Sequence, residues 1–155
     1  MLLLIAGAFS FFSLLSSNPL HKSDGYDPKK SKVSDDTMEN WRSTPTNPDL
    51  NSVPGIGPAA IRKLAETDIE EDRITNTYQL FGKFLMLKGP GHSEGEIEID
   101  SLEHMEKFWH WLKNRGISAH RSAIVRAIAE KSATFFQGIY DVNAYDEDDD
   151  DDDDL

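Results

Sequence analysis

Cysteine is absent from the 155-residue chain. That excludes disulfides, a thiol nucleophile and any thiolate zinc site, and it leaves the redox compartment open. Also lacking is an unbroken apolar run of the ~20 residues a membrane span takes; residues 1–15 come nearest and are interrupted by Ser10 and Ser13. There is no excess of positive charge either. The 16 Lys and Arg stand against 28 Asp and Glu, a formal net charge of −12, opposite to the basic balance of a typical DNA binder. Most of that charge is local. Asp146 to Asp154 is an unbroken acidic run of eight Asp and Glu147, while residues 44–142 hold 11 Lys and Arg against 14 Asp and Glu, close to balance.

Nor does any cluster supply a nucleophile, a metal set or a general acid/base pair, so an enzyme is not expected and no cofactor or metal is called for. His104 and His110 lie too far apart along a helix to share a face as ligands four apart would, and both read as solvated. Glu94, Glu96 and Glu98 alternate in a stretch that reads as an exposed loop.

The ends differ in composition from the middle. Residues 1–17 read either as an apolar targeting segment, similar to the apolar region of a secretory signal peptide, or as the product of a mistaken start codon, with Met38 an internal candidate. Residues 18–36 are rich in Ser, Asp, Lys and Pro and read as a polar linker, in which Lys29-Lys30-Ser31-Lys32 is a small basic cluster. Residues 143–155 read as a disordered acidic tail, because a run of like charges buries nothing and repels itself. Between the ends, residues 37–142 have the length and apolar content for one domain with one core.

What that middle does contain is helical periodicity. A short helix is expected from Asp35, with Asp35 or Asp36 as N-cap and Met38 and Trp41 on one face, ended by Pro45 and Pro48. A second runs from Pro58 to about Glu66, with Ala60, Ile61, Leu64 and Ala65 inward and Arg62 and Lys63 outward. Residues 77–87 read as the central buried helix, with Leu80, Phe84 and Leu87 on one side and Gly82 letting another helix come close. A fourth runs to about Asn114, with Leu102, Met105, Phe108, Trp109 and Leu112 inward. The last runs from about Ala119 to Tyr140, with Ala123, Ile124, Ala127, Ile128, Phe135 and Ile139 inward and His120, Arg121, Arg126 and Lys131 on the other side. The expected fold is all-α, a compact bundle of about five short helices.

Between the first two helices stands Val53-Pro54-Gly55-Ile56-Gly57-Pro58. Two glycines flanking one apolar residue permit backbone angles that side chains forbid, and Ile56 anchors the turn in a core. Pro58 then opens a helix, where its missing N–H costs nothing. Bare backbone N–H groups at a helix N-terminus suit an anion, above all a phosphate. The start of the last helix, Ser118-Ala119-His120-Arg121, is a second place where free N–H groups and cationic side chains coincide. The pattern Leu50-x-x-Val53-Pro54-Gly55-Ile56-Gly57-x-x-Ala60-x-x-x-Leu64 resembles the helix-hairpin-helix motif, a sequence-independent reader of the DNA backbone; the bland alternative is a tight turn between helices that binds nothing.

Three segments resemble one family in order and character: the hairpin with Arg62-Lys63-Leu64, the run Tyr78-x-Leu80-x-Gly82-x-Phe84-Leu85-x-Leu87-Lys88, and Trp111-Leu112-Lys113 followed by Gly116. They are similar to barrier-to-autointegration factor, a small all-helical chromatin protein, over about residues 38–137. The resemblance implies a homodimer that grips double-stranded DNA through each hairpin and bridges two segments without reading sequence. It further implies a nuclear location and LEM-type nuclear-envelope partners. The phosphate-contacting set it implies is Gly55, Gly57, Ala59, Arg62 and Lys63 at the hairpin, with Ser118, Ala119 and His120 at the last helix start; Ile56 and Arg121, in the same two stretches, complete the candidate DNA-binding residues. The sequence departs from the family in extra residues between Leu64 and Tyr78, a Gly/Glu-rich insertion after Lys88, an apolar N-terminus and the acidic tail. That tail could bind histones or compete with DNA. The alternative function is a protein-interaction module of the same fold that has lost DNA binding, in a secretory or organellar compartment if residues 1–17 are a targeting segment.

Overall fold

The computed structural model describes residues 24–90, 95 and 99–146, and within them the chain is an all-α bundle of five helices with no strand. Residues 1–17 and Glu94, Glu96 and Glu98 lie outside the described residues.

Helix α1, Asp35–Ser43, is capped by the Ser34 side chain, which accepts from the Thr37 N–H, so the cap lies one residue before the aspartates; those sit in the first turn, where the helix dipole favours them. Met38 and Trp41 are buried as the spacing requires. Helix α2 spans Pro58–Ala65 and α3 spans Thr77–Met86, joined by a loop with one 3₁₀ turn at Glu70–Asp72. Helix α4, Ser101–Asn114, is capped by Asp100 through the Glu103 N–H, and α5 spans Arg121–Ala133.

The centre of the bundle is α5, not α3. Ala123, Ile124, Val125, Ala127, Ile128 and Ala129 are all buried, together with Ser122 and Ser132, so α5 is enclosed on nearly every side and packs on α4, α1 and α3. Its small residues allow the neighbours to close round it. By contrast α3 buries Leu80 and Phe84 but leaves Tyr78 59% and Met86 60% exposed. Gly82 is only partly buried, and among the described residues a Cβ built on it would meet nothing within 4 Å, so no described helix approaches there.

Helix α5 is also shorter than its periodicity suggests. His120 precedes it in a left-handed conformation (φ 60°), and after Ala133 the Thr134 hydroxyl donates to the Lys131 carbonyl at 2.6 Å as the chain turns through Gly138 (φ 83°). Phe135 thereby leaves the inward face and is 68% exposed, while Ile139 returns to the core. Leu102, on the first turn of α4, is exposed rather than inward, and Ala65 is exposed at the end of α2.

Two polar side chains expected outside are inside. Lys131 is 1% exposed: its ammonium donates to the Trp41 carbonyl at 2.8 Å and the Thr44 carbonyl at 2.7 Å and lies 4.1 Å from the centre of the Trp41 ring. It therefore caps the C-terminus of α1, where cations are favoured. His104 is fully buried, its Nε2 donating to the Phe84 carbonyl at 2.6 Å and its ring stacked on Phe84.

Part of each end belongs to the folded body. In the stretch read as linker, residues 24–33 form a strap across α4 and α5. Tyr26 is buried, its N–H donating to the Glu106 carboxylate at 3.0 Å and its hydroxyl sharing a hydrogen bond with that of Tyr140 at 2.8 Å. The Asp27 N–H donates to the Ser122 hydroxyl, and Arg126 donates to the buried Ser31 hydroxyl. At the other end residues 142–145 form a 3₁₀ turn whose Tyr145 ring packs edge-on to Tyr26 at 5.2 Å, so the start of the stretch read as a tail belongs to the folded body; residues 147–155 lie outside the described residues.

Candidate anion-binding cleft

Asp49 begins the approach by capping a 3₁₀ turn, Leu50–Ser52, and Leu50, Val53 and Ile56 point into the core. The Ile56 N–H donates to the Val53 carbonyl at 3.0 Å. With Pro54 at the second position and Gly55 at φ 95° in the third, this is the arrangement of a type II turn, which needs a positive φ there. A Cβ on Gly55 would also come within 2.9 Å of the Ala123 Cβ and 3.2 Å of the Ile124 backbone nitrogen. The hairpin is thus seated on the first turn of α5.

Gly57 differs from the expectation that both glycines hold forbidden angles. Its φ is −112° and ψ −176°, extended backbone open to any residue, and a Cβ there would meet nothing within 4 Å. Among the described residues neither strain nor crowding calls for a glycine here; what the missing side chain achieves is an open N-terminus on α2. No side chain caps that terminus. The first bond in α2 runs from the Ile61 N–H to the Gly57 carbonyl, which leaves the N–H groups of Gly57, Ala59 and Ala60 without a partner among the described residues, whereas that of Ile56 is used in the turn.

Seven of the ten residues expected at the site line a single cleft of about 240 Å³: Gly55, Gly57, Ala59, Lys63, Ser118, Ala119 and His120. The two stretches, some sixty residues apart in sequence, meet because Gly55 packs on Ala123 and because the 116–120 turn runs beside α2. Ile56 lies beneath the cleft in the core, and Arg62, exposed on α2, does not line it. Arg121 is turned away: its guanidinium donates to the Ile117 carbonyl at 2.6 Å and stacks 4.3 Å over the Trp109 ring. A contributor that sequence reasoning left out of the site is Gly116. At φ 85° it ends α4, and the Lys63 side chain passes so near that a Cβ there would lie 3.3 Å from its Cδ. The signal was available in Gly116 itself, a glycine just past a helix end.

Electrostatically the cleft favours an anion. The uncapped N-terminus of α2 and His120, the N-cap residue of α5, both line it, each helix carrying about half a positive charge at that end. Lys63 adds a full one, and among the described residues no carboxylate lines the cleft. Arg115 fixes α2 from the far end, its guanidinium donating to the carbonyls of Lys63 and Leu64 at 2.9 Å and to that of Asp72. Among the described residues no three His, Asp or Glu side chains come together as a metal site, and no helix is long and apolar enough to cross a membrane.

Comparison with protein-family models, with characterised proteins and with solved structures gives no match for this chain.

Proposed function

We propose that the protein binds double-stranded DNA through its phosphate backbone, without reading sequence and without catalysis, as a chromatin protein similar to barrier-to-autointegration factor. One observation carries this reading: two helix N-termini and Lys63 meet in one cleft that no carboxylate of the described residues lines, beside a glycine that the described fold does not require. Backbone N–H donors and a few cations contact phosphates wherever they lie along a duplex, so register is set and sequence ignored. A protomer that neutralises only a few phosphates binds weakly, and two cleft-bearing protomers in one particle recover affinity by engaging together. The homodimer we propose pairs the exposed faces of α3, where Tyr78, Gly82 and Met86 recur at intervals of four. Gly82 sits mid-helix, where glycine costs about 1 kcal/mol against alanine, and gains no contact among the described residues; a second helix crossing it closely accounts for that cost.

The test is binding to random-sequence duplexes over a salt series, with the full chain and with residues 143–155 removed. Affinity should fall linearly on logarithmic axes with a slope of about −0.9 per phosphate contacted. Absence of any DNA shift at low salt in either form would sink the proposal. A second reading, a protein-interaction module, is favoured by a different observation: Phe136, 51% exposed, borders a cavity of about 380 Å³ with Leu85 and Ile139, next to Phe135. LEM-type proteins are the partner class the resemblance implies for it. A chain that ignores DNA yet retains a protein ligand through Phe135 and Phe136 would favour this second reading.

A further inference from the structure

We propose that the basic turn of the strap, residues 29–32, is the docking site of the chain's own acidic segment, Asp146–Asp154. The strap is a fixed frame, held by Tyr26 in its ring box, by Glu106 and by Ser122 and Arg126 on α5. A short 3₁₀ turn, Pro28–Lys30, capped by the Asp27 carboxylate, and a left-handed Lys32 (φ 54°) present the lysines outward. The strap's acids are engaged: Asp27 accepts from the Lys29 N–H at 2.9 Å, Asp24 pairs with Lys113 at 3.8 Å, and Asp35, beyond it, with Arg126 at 3.3 Å. Lys30 and Lys32 are exposed and form no ion pair among the described residues.

The acidic run begins at Asp146, directly after Tyr145, whose ring lies 5.2 Å from that of Tyr26, three residues before Lys29. The eight acidic residues that follow reach up to about 27 Å when extended, ample for a turn that close. A short tether of this kind holds the segment at an effective concentration on the order of millimolar, and opposite charges do the rest. The segment is therefore placed to cover the strap, rather than the hairpin, and to keep other polyanions from it. The contact is electrostatic and exposed, so salt that shortens the screening length must weaken it.

Zero-length carbodiimide cross-linking of the full chain, mapped by mass spectrometry, tests this without reference to DNA. At about 20 mM salt the segment should join Lys30 and Lys32, and at about 500 mM those products should drop at least about fivefold. In Tyr26→Ala, with the bundle shown intact by circular dichroism, the products should fall because the frame is released; if that variant unfolds, Lys30→Gln/Lys32→Gln serves instead, and the segment should then not transfer to Lys63. Cross-links chiefly to Lys63, Lys88 or Lys107, products unaffected by salt, or products formed only between isotopically distinct chains would each overturn the proposal. A DNA readout separates this from the function above: removing residues 147–155 should raise affinity in the wild type and leave Lys30→Gln/Lys32→Gln unchanged. Failure to bind DNA at all would refute the DNA reading and leave the cross-linking result standing.

Discussion

A methyl group added at Gly55 would sit 2.9 Å from the Ala123 Cβ on a backbone held at φ 95°, whereas one added at Gly57 would meet nothing. The two positions therefore separate fold from binding. Gly55→Ala should lose about 2 kcal/mol or more of stability in denaturant unfolding, through strain and the displaced α5 contact together. Gly57→Ser should leave stability unchanged or raise it by a few tenths of a kcal/mol, because serine caps a helix slightly better than glycine. It should at the same time weaken DNA binding about tenfold, since the new hydroxyl takes an N–H that a phosphate would otherwise accept from, a charge-assisted bond worth about 1.5 kcal/mol. Equal affinity in Gly57→Ser and wild type would remove the α2 N-terminus from the interface. The same scale shows what a sequence does not carry. Val53-Pro54-Gly55-Ile56-Gly57-Pro58 was legible as an open turn because its local chemistry decides it. His104 and Lys131 were not: what makes their burial tolerable is the carbonyls of Phe84, Trp41 and Thr44, donated by elements 20 to 90 residues away.

Elements are joined here by single polar fastenings as much as by the core. Helix α2 is short, and its C-terminal carbonyls are gathered by Arg115 at the end of α4. The following 3₁₀ turn is fastened to α3 by the ion pair of Asp72 with Lys83, whose ammonium also lies 5.6 Å from the Trp111 ring centre. The hydrogen bond from Lys83 is the main cause that holds the Asp72 carboxyl below its ordinary value of 3.8. Lower in the folded than in the unfolded chain, that pKa makes the carboxylate stabilising above about pH 4, and the contribution disappears as pH falls through the folded value. Asp72→Asn should accordingly flatten the acid limb of the stability–pH curve below pH 4 while lowering the neutral plateau. A limb identical to wild type would show that the pair contributes nothing. Helix existence was legible from apolar spacing for all five elements, but their roles were not. The periodicity of residues 77–87 suggested the buried centre, and α5 occupies it instead, because its alanines and serines pack closely without registering as strongly apolar. Tyr26 likewise gave no sign that residues 24–33 would dock, since one tyrosine in a polar stretch is no pattern.

For the whole molecule the open question is what covers α3. Its exposed face joins Tyr78 and Met86 across Gly82, and none of the described residues approaches that glycine. A side chain there would be harmless to the monomer and fatal to a close helix crossing, so the two effects have opposite signs. Replacing Gly82 by leucine should stabilise α3 by about 0.5–1 kcal/mol through helix propensity, raising the melting temperature by a few degrees for a body of this size. In sedimentation equilibrium the same variant should run as a monomer at concentrations where the proposed wild-type dimer forms. Each protomer keeps its cleft intact, on the hairpin and α5 rather than on α3, so binding to one duplex should persist with weakened apparent affinity. Joining of two differently labelled duplexes should be lost, because a single cleft cannot hold both. A Gly82→Leu protein that stays dimeric would move the interface away from α3 and leave Phe135 and Phe136, an adjacent pair of exposed aromatic rings, as the surface to substitute next.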